Sequence, residues 1–113
     1  MERKNEILDQ TYAFALKIVA FCNKLDESRK FAISNQLIRS GTSVGANVRE
    51  SQSSHSKADF AAKMVIAAKE ADESEYWLMI CKDSEGYPDP MELLEDIKSI
   101  KRILFKIIAS SKR

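Results

Sequence analysis

The sequence predicts an all-α protein, one up-down-up-down antiparallel four-helix bundle over residues 1–113, and three observations carry that prediction. Apolar residues recur at alternating three- and four-residue steps in four separate segments, the period of a helix that buries one face. Three glycines and two prolines in 113 residues leave no material for the frequent tight turns a sheet needs. Short charged or polar breaks part the segments, and short connections make successive helices antiparallel neighbours.

The first helix is predicted from about Arg3 to Lys24, with Ile7, Thr11, Phe14, Ile18, Phe21 and Leu25 on one face and Ala15, Val19 and Cys22 widening it. The run KLDESRK, residues 24–30, is a charged break in which Asp26 or Ser28 is expected to cap the next helix. That second helix, from about Arg29 to Ser53, carries an apolar stripe of Leu37, Gly41, Val44 and Val48 beside a polar stripe of Gln36, Arg39, Ser43, Asn47 and Glu50. Gly41 and Gly45 each cost about 1 kcal/mol relative to Ala inside a helix, so a close-packed partner must offset them. SQSSHS at residues 51–56 ends the helix by side-chain competition for the backbone.

Ser56 to Asp59 reads as a capping box with Asp in place of Glu. The third helix follows, with Phe60, Met64, Ala67, Ala71, Ser74, Leu78 and Cys81 in helical register. Its small central residues are expected to face the two glycines, making the second and third helices the most closely packed pair. Gly86 and Pro88 mark the stop. Asp89, Pro90 and Glu92 then read as cap, first helical position and third position of a fourth helix with Leu93, Ile97, Ile100, Leu104 and Ile107 inward, broadened by Leu94, Ile103 and Ile108.

Several function classes fall away on the residues. GTSVG at residues 41–45 has the glycines of a phosphate loop, but Ala46 and Asn47 follow where Lys and Ser or Thr are needed, and QLIRS before it is helical rather than a strand. Cys22, Cys81 and a single His55 make no metal-ligand spacing, and buried reduced thiols are expected. Glu70 and Glu73 stand one turn apart with Trp77 beyond, yet a di-iron bundle needs Glu-x-x-His. These acids are expected instead to neutralise Arg39 and satisfy Gln36 and Asn47 on the neighbouring helix or subunit, in a structural polar network that includes Glu50. Thr42 and Ser43 have no His base nearby, so no catalytic residue, metal or cofactor is expected. Tyr76, Trp77 and Tyr87 sit among acids and are expected in the core or a subunit contact. A charged N-terminus and the lack of any apolar run near the roughly 18 residues of a membrane span point to the cytoplasm.

Net charge is +1 from 18 basic and 17 acidic residues, so any pull on nucleic acid must come from placement. Glu70 to Asp96 holds ten acids against Lys82 alone, whereas Ile97 onward holds Lys98, Lys101, Arg102, Lys106, Lys112 and Arg113 with no acid. In an antiparallel bundle Arg3, Lys4, Arg49, Lys57, Lys106, Lys112 and Arg113 gather at the terminal end, with Lys98 and Arg102 leading to it. Two readings fit. One is a solvated helix end favoured by the macrodipole, and the other is a phosphate-binding surface through Arg3, Lys4, Lys98, Lys101, Arg102, Lys106, Lys112 and Arg113.

The stretch from Gln36 to Leu78 resembles the four-helix-bundle proteins encoded in intervening sequences of bacterial large-subunit ribosomal RNA genes, a family that includes the accessory protein of diversity-generating retroelements. Gln36, Leu37, Arg39, Ser43, Val44, Asn47, Val48 and Glu50 fit its second-helix pattern, and Asp59, Phe60, Glu70, Ala71, Glu73, Trp77 and Leu78 its third. Ser51 stands where Gly is common. The resemblance implies a non-enzymatic bundle assembling as a homo-oligomer, with a pentameric ring favoured. It also implies an association with RNA and, in the retroelement branch, with a reverse transcriptase. A module that recognises another protein and no nucleic acid is the rival expectation.

Overall fold

The computed structural model describes residues 5–112 and contains four helices: α1 (Glu6–Glu27), α2 (Phe31–Ser51), α3 (Lys57–Asp83) and α4 (Met91–Ser111). Each packs on its neighbours in the order α1, α2, α3, α4 and back to α1, with α1 diagonal to α3. The expected four-helix bundle is the observed fold. Its long axis is 46 Å. The turn between α3 and α4 lies at one end, and the turn between α2 and α3 lies at the other with the start of α1 and the end of α4.

Local chemistry sets the boundaries. Asn5 caps α1 by accepting the Leu8 amide at 3.2 Å. Neither Asp26 nor Ser28 caps α2. Instead α1 runs on to Glu27 and closes with Arg29 in the left-handed region, φ 61°, where the Arg29 amide bonds to Asp26 O and the Lys30 amide to Leu25 O. This double closure is a Schellman motif, built here without glycine, so the sequence carries no conventional stop signal. α2 consequently starts at Phe31 with no side-chain cap. Ser56 caps α3 as its spacing predicts, accepting the Asp59 amide at 3.0 Å. Gly86 occupies the left-handed region after α3 at φ 80°. Pro90, rather than Asp89, occupies the cap of α4, while Asp89 Oδ1 accepts the Met91 amide at 3.0 Å.

The inward faces meet as expected for Ile7, Phe14, Ile18, Phe21, Leu25, Leu37, Val44, Val48, Met64, Leu78, Leu93, Ile97, Ile100 and Leu104, all buried. Val19 does not join them and is 43% exposed. Cys22 and Cys81 are buried free thiols, and desolvation raises both, Cys81 to about 11.

The glycines serve a different helix from the one expected. A Cβ on Gly41 would lie 2.8 Å from Ile18 Cγ1 and 2.9 Å from Cγ2, and a Cβ on Gly45 would lie 3.1 Å from the Thr11 carbonyl oxygen. Both contacts are with α1. Toward α3, α2 turns its polar edge, where buried Ser40 and Ser74 share a 3.0 Å hydrogen bond. The α2 and α3 pair still makes the most extensive contact of any. Helical period places a residue in a buried stripe, but it does not say which of two flanking neighbours that residue meets.

Replacing Gly41 with Ala should destabilise the fold by about 1–3 kcal/mol, because overpacking against wholly buried Ile18 outweighs the gain of about 1 kcal/mol in helix propensity. Thermal melting of Gly41→Ala, Ile18→Ala and the double variant checks this. The double variant should be more stable than the sum of the single losses by about 1 kcal/mol or more, and strict additivity would contradict the contact.

Candidate nucleic-acid interface

α4 turns Leu93, Ile97, Ile100 and Leu104 inward and so presents the opposite face to solvent. Lys98, Arg102, Phe105, Lys106 and Ala109 are exposed on that face, at the steps a helix requires for one continuous strip. Among the described residues Lys98, Arg102, Lys106 and Lys112 form no ion pair. Nothing on α4 past Asp96 offers them an intrahelical acid.

Lys101 is different. Its side chain is only 20% exposed and reaches across to α3, with Nζ 2.6 Å from Asp72 Oδ1 and 2.9 Å from Glu75 Oε1. Hydrogen bonding to Asp72, reinforced by Glu75, raises its pKa despite partial burial. A cation clamped by two carboxylates has no charge left to offer a phosphate, so Lys101 stands apart from the other expected contacts. Arg3, Lys4 and Arg113 lie outside the described residues.

The basic end takes form where α3 begins and α4 finishes. Lys57 and Lys106 rim one hollow with Ser110 and Ser111, over a floor of Phe60 and Ile107. At the other end of the bundle Asp96 holds Lys17 at 2.8 Å, and Glu92 lies 3.8 Å from it. The 46 Å axis far exceeds the Debye length of about 8 Å at physiological salt, so the two ends act on solutes independently.

The polar residues of α2 divide between sites. Arg39 donates to Glu70 at 3.3 Å and pairs with Glu73, whose carboxylate also accepts the Trp77 indole N–H at 3.1 Å. Glu50 pairs instead with Lys63 at 2.9 Å. Asn47 donates to the Ser43 carbonyl within its own helix, and Gln36 is exposed. Arg39, Glu70 and Glu73 thus form one α2–α3 brace, with Asn47, Glu50 and Gln36 outside it. Trp77 and Tyr87 pack partly buried against the core, whereas Tyr76 is 58% exposed and meets Trp77 edge-on. No group of three His, Cys, Asp or Glu stands together as a metal site among the described residues.

Two surface features escape a search for motifs. Phe105 is 51% exposed inside the basic strip, and its place opposite the core stripe, between Arg102 and Lys106, was the available signal. On α1, Tyr12, Leu16 and Val19 are 59%, 56% and 43% exposed at four- and three-residue steps. Lys17 is the only charge from Gln10 to Asn23. An apolar groove beside this face is lined by Leu8, Ala15, Gly45 and Ala46.

A family model described as 23S rRNA-intervening sequence protein matches residues 3–106. The fold is also similar to a crystal structure, at 1.70 Å resolution, of a protein with unknown function from the S23 ribosomal protein family of Bacteroides thetaiotaomicron. The TM-score is 0.86 at 39% identity, over 90% of this chain and 97% of that one. No curated protein matches the chain.

The Lys101 clamp has a pH signature. Its raised pKa means the stabilisation is complete below the unfolded-state value of about 10.4 and is lost as pH rises through the higher folded value. Lys101→Met should lose about 1 kcal/mol at neutral pH, the acids being partly solvated. The gap between wild type and variant in urea unfolding should shrink above about pH 10.5.

Proposed function

The chain belongs to the family of 23S rRNA-intervening sequence proteins, and from that premise we propose that it is a non-enzymatic, oligomeric bundle that binds structured RNA through the outer face of α4. One observation carries the reading: Lys98, Arg102, Lys106 and Lys112 are exposed and, among the described residues, free of ion pairs. Releasing counterions from RNA onto such cations supplies affinity without sequence preference. The family context supplies the class of nucleic acid. No described helix is long and apolar enough to cross a membrane, which suits a protein working beside ribosomal RNA in the cytoplasm.

The same proposal includes assembly into a ring, with five copies favoured by the family likeness. The uncharged outer face of α1 supports this, since Tyr12, Leu16 and Val19 need a partner more than they need solvent. A second reading, a module that recognises another protein such as a reverse transcriptase, draws on that same face.

RNA affinity should fall steeply with salt. Charge reversal of Arg102 and Lys106 together should lower it at least tenfold and reduce the log–log salt slope by about 2. Lys101→Met should leave both nearly unchanged. Filter binding across a salt series measures them, and failure of the wild type to bind RNA at low salt refutes the reading. For assembly, light scattering on a sizing column should return a multiple of the 12.8 kDa chain mass. Leu16→Glu should reduce it to a single chain with the melting temperature of an intact bundle, whereas an oligomer that survives Leu16→Glu frees the α1 face for a different protein.

A further inference from the structure

We propose that the α4 face binds unpaired RNA, with Phe105 as a stacking platform for an exposed base and the flanking cations on its phosphates. The inference rests on the RNA-binding reading above and narrows it. A basic strip alone needs no aromatic, and a half-exposed Phe ring costs the monomer solubility without adding to its core. Phe105 is 51% exposed, and it follows Arg102 by three residues and precedes Lys106 by one. Its charged neighbours along the exposed face of α4 are therefore basic, in contrast to Tyr76, which neighbours Glu75 and Glu73.

The helix seam adds a further cation. Lys101 is tied to Asp72 and Glu75, which sets the antiparallel register of α3 and α4. One turn further along, Phe105 on α4 comes level with Lys69 on α3, three residues before Asp72 and exposed. The clamp offsets one of the two acidic charges on that seam, and Lys69, Arg102 and Lys106 remain exposed.

Geometry separates single strands from duplex. Lys98, Arg102 and Lys106 lie on one side of a straight helix, about 6 Å apart along its axis, in a row an extended backbone can follow. α4 packs on α1 and α3, and the deep, narrow major groove of an RNA duplex excludes a helix so held. A duplex offers Phe105 no ring face except at an end. An unpaired loop or tail offers both phosphate and base, the pairing used where aromatics and cations alternate on a surface.

The test titrates the full chain with an unstructured single-stranded RNA and with the duplex it forms with its complement. Phe105→Ala should weaken single-strand binding about five- to tenfold and leave duplex binding unchanged. Phe105→Trp should restore it, with indole fluorescence quenched by the single strand and not by the duplex. Equal single-strand affinity of Phe105→Ala and wild type would overturn the inference. If Arg102 and Lys106 still prove necessary in that case, the broader RNA reading survives it. A change in assembly mass on Phe105→Ala would assign the ring to a subunit contact and also overturn it. Failure of the wild type to bind either RNA removes both readings together.

Discussion

The bundle depends on how closely α1 can approach α2. α2 seats two neighbours, α1 and α3, that lie diagonally across the bundle. It does so by splitting lengthwise. Gly41 and Gly45 make the α1 edge thin enough for the Ile18 side chain and the Thr11 backbone to lie against the α2 main chain. The other edge is polar, with Ser40 bonded to Ser74 and Arg39 reaching Glu70 and Glu73. The glycines lower the intrinsic helix propensity of α2, so their stabilising effect is tertiary, arising from dispersion contacts that any larger residue would displace.

That division also decides where charge can go. Arg39 and Glu50 tie α2 to α3 through ion pairs, and on the other seams Lys17 ties α1 to α4 and Lys101 ties α4 to α3. The last two each use a lysine whose stem crosses apolar surface to reach an acid, a common use of a long cationic side chain. Because Lys101 consumes two acids of α3, the second half of α4 faces solvent with its remaining cations uncompensated. The polarity of the molecule is a result of packing as well as of composition, since a net charge of +1 would not by itself predict it.

Much of this was legible in the sequence, and the failures share a cause. Four periodic stripes, the Ser56 cap and the break at Gly86 were readable because each depends on residues adjacent along one helix. The Schellman closure at Arg29 was not, because it uses a left-handed conformation in a residue with no preference for it. The glycines were read as close-packing residues and assigned to the wrong neighbour. The ion pairs of Lys101, a residue expected among the phosphate contacts, were not readable because its partners lie on another helix, 29 residues from it at Asp72 and 26 at Glu75. Val19 was placed in the core because a wide apolar stripe looks the same whether its edge meets a helix of its own chain or a surface left open. Family resemblance had a different reach: it came from residues along α2 and α3, and it stands with the match over residues 3–106.

What the molecule can do follows from where its unspent interactions lie. The interior is closed: its thiols are buried and protonated, and its hydroxyls at Ser34, Ser40, Ser51 and Ser74 bond to backbone or to each other. Two of its surfaces differ in kind, one on α1 where Tyr12, Leu16 and Val19 are exposed and a cationic one on α4. On the function proposed above they suit different partners, because apolar area gains from exclusion of water and not from counterion release. Diagonal and adjacent packing places them on separate helices, so occupation of one need not block the other. In the proposed assembly α1 holds copies together while α4 presents a row of cations from each copy, an arrangement that multiplies weak phosphate contacts into useful affinity without any single specific site.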